Sequence, residues 1–158
     1  MNHRALTGSD NYFEDFTPGM VVRHARGKTV EAAEHVLLTN LVMNTAHGHF
    51  NEHAMQGGLF GQRMAFGGYT ASLVIGLASQ DTAENAVEEL GLDGIRFPTP
   101  VFAGDTLYAY TEVLETGAAG REDAGVVTFR HWGVNQDDKI VFEGRRRALI
   151  KRRPQSRP

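Results

Sequence analysis

Asn44 and His49 stand five residues apart in the stretch Met43-Asn44-Thr45-Ala46-His47-Gly48-His49-Phe50-Asn51-Glu52-His53. A neutral imidazole, with an ordinary pKa of ~6.5, is a suitable general base for water near neutral pH. An asparagine amide exchanges no proton there; it can only hold a water or orient a substrate. Five residues of ideal helix turn through about 140°, so the pair converges on one ligand only if the helix stops near Thr45 and a loop returns His49. Ala46-His47-Gly48 offers that stop, with Gly48 free to take a positive φ. A structural reading competes: a helix C-terminus with histidines placed for the dipole and asparagine as a cap. Metal binding is a third reading, because His47, His49 and His53 with Glu52 are ligand types. The spacing of a cupin-type site is absent, since Leu41 stands where a glycine is needed and Glu52 follows His49 by only three residues. Such sites also sit on strands, so no metal is expected.

Gly67-Gly68 opens a second element of interest. Free N–H groups at a helix N-terminus stabilise a developing oxyanion, and glycine lets a substrate approach the backbone. Equally, glycines there would let the helix pack tightly on a sheet. The cations Arg145-Arg146-Arg147 and Lys151-Arg152-Arg153 do not form one patch on a strand, because alternate side chains face opposite ways. They read first as a solvated edge strand and second as partners for the phosphates of coenzyme A.

The elements that must hold these residues can be read from periodicity. Residues 1–18 form a polar N-terminal extension with Tyr12, Phe13 and Phe16, closed by the turn pair Pro18-Gly19. Met20–Thr29 reads as a strand and Glu31–Met43 as a helix, with Thr29 as its N-cap. From Tyr69 to Gln80 nearly every residue is apolar or small, which predicts a helix buried on nearly every face. An extended stretch, Gly94–Phe102, follows. Asp105–Glu115, Gly125–Asn135 and Lys139–Arg152 then alternate as strands, the last two joined through Asn135-Gln136-Asp137-Asp138. One strand, a buried helix and several long antiparallel strands is the order of a single hotdog fold, an α+β sheet wrapped around one central helix. The domain is expected over 19–153, with 154–158 a frayed tail.

Composition narrows the classes. The chain has 158 residues, enough for one domain with a substantial core. It contains no cysteine, which excludes disulfides, thiolate nucleophiles and cysteine-ligated zinc. The net charge of −3 argues against a protein that coats nucleic acid. No apolar run approaches the ~20 residues of a membrane span, and Met1–Asp10 lacks a signal-peptide core, so a cytoplasmic location is expected.

Three segments then carry a family likeness. Asn44-Thr45-Ala46-His47-Gly48-His49-Phe50 resembles the hydratase motif of MaoC-like dehydratases and (R)-specific enoyl-CoA hydratases. Ala65-Phe66-Gly67-Gly68-Tyr69 resembles the segment that opens their central helix. Pro100-Val101-Phe102-Ala103-Gly104-Asp105-Thr106-Leu107 is similar to their strand entry. Met43-Asn44-Thr45, Gly67-Gly68-Tyr69-Thr70, Gln80–Asn85 and Gly94-Ile95-Arg96-Phe97-Pro98 bring it nearest the mesaconyl-CoA hydratase (β-methylmalyl-CoA dehydratase) branch.

The resemblance implies a hydro-lyase that adds water reversibly across the 2,3-double bond of an enoyl thioester. The acyl group would be short, branched and dicarboxylic, as in mesaconyl-CoA or itaconyl-CoA. It implies His49 as acid/base, Asn44 holding water, the Gly67 N–H on the thioester oxygen, and His47, Phe66, Gly68, Tyr69 and Arg96 around the substrate. Asp81 and Glu84 are further neighbours to consider, with a structural ion pair as the alternative. No cofactor is expected beyond the coenzyme A or phosphopantetheine of the substrate, and a single hotdog copy implies a homodimer or higher oligomer. Two departures stand out: Asn44 replaces the usual Asp, and His47 replaces the usual Pro. A non-catalytic thioester-binding protein with a decayed dyad is therefore the alternative.

Overall fold

The computed structural model describes residues 10–154. Residues 155–158 of the expected tail, and the first half of the expected N-terminal extension, residues 1–9, lie outside that range. Strands β1 (Val21–Thr29), β2 (Ala86–Arg96), β3 (Thr106–Ala118), β4 (Ala124–Val134) and β5 (Ile140–Lys151) form one sheet in the order β1-β3-β4-β5-β2. Every pairing is antiparallel. Helices α1 (Ala32–Leu41), α2 (His47–Phe50) and α3 (Glu52–Met55) lie between β1 and the long helix α4 (Gly67–Ala83), which crosses one face of the sheet. This is the expected α+β hotdog. No described helix is long and apolar enough to cross a membrane.

Alternation along β3 and β4 explains the layering. Leu107, Ala109, Thr111 and Val113 of β3, with Val127, Phe129 and His131 of β4, are buried on the face that α4 and the Phe13–Phe16 segment cover, while Tyr110 and Trp132 stack on the outer face at 5.4 Å. Gly133 lets α4 come close, because a Cβ there would collide with the Val74 side chain. Two apolar clusters result, one around Val30, Tyr69, Val74, Leu107 and Phe142, the other around Phe16, Val113, Phe129 and Ile150. Between them runs a band of polar side chains. The register sets Thr111 directly opposite His131. The Thr111 hydroxyl lies 2.8 Å from His131 Nδ1 and 2.7 Å from His24 Nε2, and His24 Nδ1 lies 2.6 Å from Asp81 Oδ2.

Several sequence expectations change. Helix α4 is covered on one side only in this chain: Tyr69, Thr70, Val74, Ala78 and Thr82 are buried, whereas Ser72 and Gly76 are exposed. Small residues on a surface face mimic the composition of a core. Thr29 is not an N-cap; it ends β1, with its hydroxyl 2.8 Å from that of Thr106. The strand expected over Gly94–Phe102 runs instead over Ala86–Arg96, ending before Pro98. Its acidic residues disguise it, yet they face arginines across the ladder, Glu89 with Arg146 and Asp93 with Arg145. The arginine-rich strand β5 is not an edge: it lies between β4 and β2, and the edges are β1 and β2. Arg152 and Arg153 hold Glu14 and Asp15, tying the leading segment to the end of β5.

Candidate functional site

Helix α1 ends earlier than its sequence pattern suggests, and its ending sets Asn44. The N–H of Asn44 bonds the Thr39 carbonyl at 3.0 Å and that of Met43 bonds Asn40 at 2.9 Å, with Met43 at φ 57°. This is a Schellman closure in which methionine occupies the left-handed position that glycine usually takes. Gly48 was the expected hinge, but it has no positive φ and lies within α2. Beyond the turn, Ala46 serves both motif residues: its N–H bonds Asn44 Oδ1 at 3.1 Å, and its carbonyl accepts the His49 N–H at 3.0 Å. The Asn44 oxygen is thus engaged, and what the side chain has left to offer is its two amide N–H donors.

The bonding of His49 fixes its tautomer. Nδ1 lies 2.8 Å from the Met64 carbonyl, which can only accept, so Nδ1 carries the proton and the neutral ring presents an Nε2 lone pair. The Met64 N–H returns a bond to Gly48 at 2.9 Å, so the two segments lock together. Two residues on, the Phe66 ring stands edge-on to the His49 ring at 6.0 Å, and α4 begins at Gly67. Tyr69 and Thr70 N–H groups bond the Phe66 carbonyl, while those of Gly67 and Gly68 have no intrahelical acceptor. Phe97 closes over Gly67: a Cβ there would come within 2.9 Å of its ring. The result is a base with a free nitrogen, an amide donor and free helix-terminal N–H groups on adjoining segments. That set can activate a water and stabilise an enolate.

The other expected residues distribute as follows. His47 is exposed and lines an open concavity of about 560 Å³ with Asn40, Thr45, Phe50, Asn51 and Glu52. Phe66 and Gly68 border the helix start, Gly68 lying against the Phe66 ring. Tyr69 turns into the core, where burial raises its phenol pKa. Arg96 is not brought to this group within the chain. It pairs across the ladder with Glu143, beside Trp132 on the outer face, and its side chain is 76% exposed. Asp81 sits far along α4, part-buried and bonded to His24. Glu84 is exposed at the end of α4. Among the described residues no three His, Asp or Glu side chains converge as metal ligands.

Sequence reasoning missed two groups. One is the band Asp81–His24–Thr111–His131, whose members are scattered along the chain. Burial, then the charges of Arg146 and His24, lower the His131 pKa to about 3. The other is His35, fully buried with neither ring nitrogen hydrogen-bonded. An unfilled buried polar atom costs about 1–3 kcal/mol, so this residue is an expensive filler of a core position. Its place on the inward face of α1, one turn before Thr39, was the only available signal.

Known proteins resemble this chain in sequence and in fold. The mesaconyl-CoA hydratase family model matches residues 4–152. The chain is 39% identical to a β-methylmalyl-CoA dehydratase of Chloroflexus aurantiacus over 80% of its own length and 36% of that protein. It is 36% identical to a mesaconyl-CoA hydratase of Haloarcula marismortui, over 93% of this chain and 44% of that one. The crystal structure of a putative MaoC domain protein dehydratase from Chloroflexus aurantiacus superposes with a TM-score of 0.85 at 32% identity, over 93% of this chain and 46% of that one. The chain therefore spans less than half the length of these relatives. In sequence and in fold alike, it belongs to the mesaconyl-CoA hydratase family.

Proposed function

We propose that this chain is an enoyl-thioester hydratase, acting reversibly on the 2,3-double bond of a short branched dicarboxylic acyl-CoA such as mesaconyl-CoA or itaconyl-CoA. The observation that carries this reading is the His49 tautomer: Nδ1 is held by Met64, and Nε2 is free to take a proton. Asn44 donates an amide hydrogen to the oxygen of the attacking water, and His49 Nε2 removes one of that water's protons. The C3–O bond forms as the double-bond electrons move toward the thioester, and the enolate oxygen is met by the N–H groups of Gly67 and Gly68. The imidazolium then returns its proton to C2, completing the addition. No group beyond the thioester carrier takes part.

A partner is part of the reading. The edge strand β2 leaves Val87, Leu90, Leu92 and Ile95 exposed, each by 38–42%. An unpaired apolar edge of this kind is covered in a functional protein. A second copy of the chain covers it in a homodimer with two sites.

The test follows the ultraviolet absorbance of the enoyl thioester with mesaconyl-CoA, itaconyl-CoA and crotonyl-CoA in parallel. The expected result is hydration with preference for the dicarboxylic substrates. Tight binding of all three with no absorbance change would instead support a thioester-binding protein in which Asn44 has silenced the dyad.

A further inference from the structure

His35 is 0% exposed, yet both of its ring nitrogens lack a partner. It lies against the same segment that holds the general base. Its ring is edge-on to Tyr69 at 6.5 Å, two residues beyond Gly67, while His49 grips that segment through Met64 and Phe66. On the next turn of α1, buried Thr39 continues the His35 face and gives its carbonyl to the Asn44 N–H. His35 therefore lies behind the group formed by Asn44, His49 and Gly67. Burial, then the nearby charges of Arg63 and His49, lower its pKa. The Arg63 guanidinium is loosely engaged, 3.4 Å from the Phe50 carbonyl and 3.5 Å from the Glu52 carboxylate, and its side chain is 29% exposed.

We propose that His35 and Arg63 together recognise the free carboxylate of a dicarboxylic acyl group, His35 donating a ring N–H from the buried side and Arg63 supplying the charge. This rests on the reading of the substrate as an acyl thioester, and it names the residues that select its acid end. A leucine would fill the His35 position without unmet polar atoms. A histidine there makes physical sense when a polar partner arrives to meet it. A carboxylate does so: it accepts the ring N–H and is matched by the guanidinium. Arg96, on the outer face, has no such neighbour within the chain.

The test needs no turnover. Succinyl-CoA and butyryl-CoA, saturated thioesters that differ by a carboxylate in place of a methyl group, are titrated into the chain carrying isotope-labelled histidine. The His35 ring resonances are assigned by their loss in His35→Leu. The expected result is a shift with succinyl-CoA and none with butyryl-CoA. The succinyl-over-butyryl affinity ratio also falls by about tenfold or more in Arg63→Gln and in His35→Leu. Equal shifts, no shift, or an unchanged ratio overturns the proposal. So does a ratio lost in Arg96→Gln but kept in Arg63→Gln. A raised Tm in His35→Leu with the ratio unchanged would make His35 a core residue only. Turnover of mesaconyl-CoA without the carboxylate-dependent shift would end this proposal and leave the hydratase reading standing. The shift without turnover on any enoyl thioester would do the reverse.

Discussion

Beneath α4, His24 and His131 have three of their four ring nitrogens bonded in a chain that starts at Asp81; in the short helix α2, His49 has one nitrogen bonded and the other open. The core chain has a fixed direction. The Asp81 carboxylate only accepts, so His24 carries its proton on Nδ1 and accepts from the Thr111 hydroxyl. Thr111 in turn accepts from His131 Nδ1–H. Each of these donors has a fixed acceptor, and only the Nε2 of buried His131 is left unbonded. The segment after α1 is built the other way. Backbone groups of Met64 and Ala46 hold one side of His49 and Asn44 and leave the other side unpaired. The same residue type is structural where its partners are side chains of the core. It keeps a free nitrogen where its partners are backbone groups that orient it and stop there.

Mutations that exchange these roles break the comparison. The largest effect belongs to His49→Ala, which removes the base: kcat on mesaconyl-CoA is expected to fall by about 10²–10⁴-fold. A variant that keeps a tenth of the wild-type rate would end the role assigned to His49. Thr111→Val leaves His24 Nε2 and His131 Nδ1 without partners, and about 2–4 kcal/mol of stability should be lost in urea unfolding. The residual kcat of the folded fraction should stay near wild type, and a kcat collapse at unchanged stability would contradict the division drawn here.

Acid tests the same chain. His131 is held at about 3 in the folded protein, chiefly by burial, whereas a histidine of the unfolded chain titrates near ~6.5. Between those values the unfolded state binds more protons, so stability falls as pH falls. By pH 5 this group alone accounts for a loss on the order of 2 kcal/mol. Unfolding midpoints measured from pH 7 to 5 check the slope, and in His131→Asn this contribution should vanish. The smallest effect is Met43→Gly. Relief of the left-handed methionine is expected to stabilise the fold by about 1 kcal/mol, read as a rise in Tm. A loss of stability would mean that the methionine side chain contributes contacts of its own.

Much of the fold was legible because it is local. The hairpin of β4 and β5 follows from alternation around Asn135–Asp138, and Asn135 Oδ1 accepts from Asp137 and Lys139 N–H groups as a turn residue should. The run from Tyr69 to Gln80 marked α4, and α1 ends before Asn44 as the spacing required, but His49 stands on the short helix α2 and not on a loop hinged at Gly48. Strand β2 was misplaced because what pairs with it is β5, more than fifty residues away, where arginines face Glu89 and Asp93. Edge strands of that kind have no local signature. Arg96 illustrates the same limit: the parity of the strand decides which face it takes, and parity follows from the register with Glu143.

What the sequence determined by itself is the order of elements and the chemical inventory: periodicity, turn residues and the histidine loop are properties of neighbouring residues. The tertiary structure alone decided the rest. It made His24 and His131 core groups by setting β1, β3, β4 and α4 around Thr111. It fixed the His49 tautomer through the Met64 carbonyl, and it buried His35 without a partner beside Tyr69. A proton's position and a side chain's solvation depend on atoms brought together from distant parts of the chain, and those encounters exist only after folding.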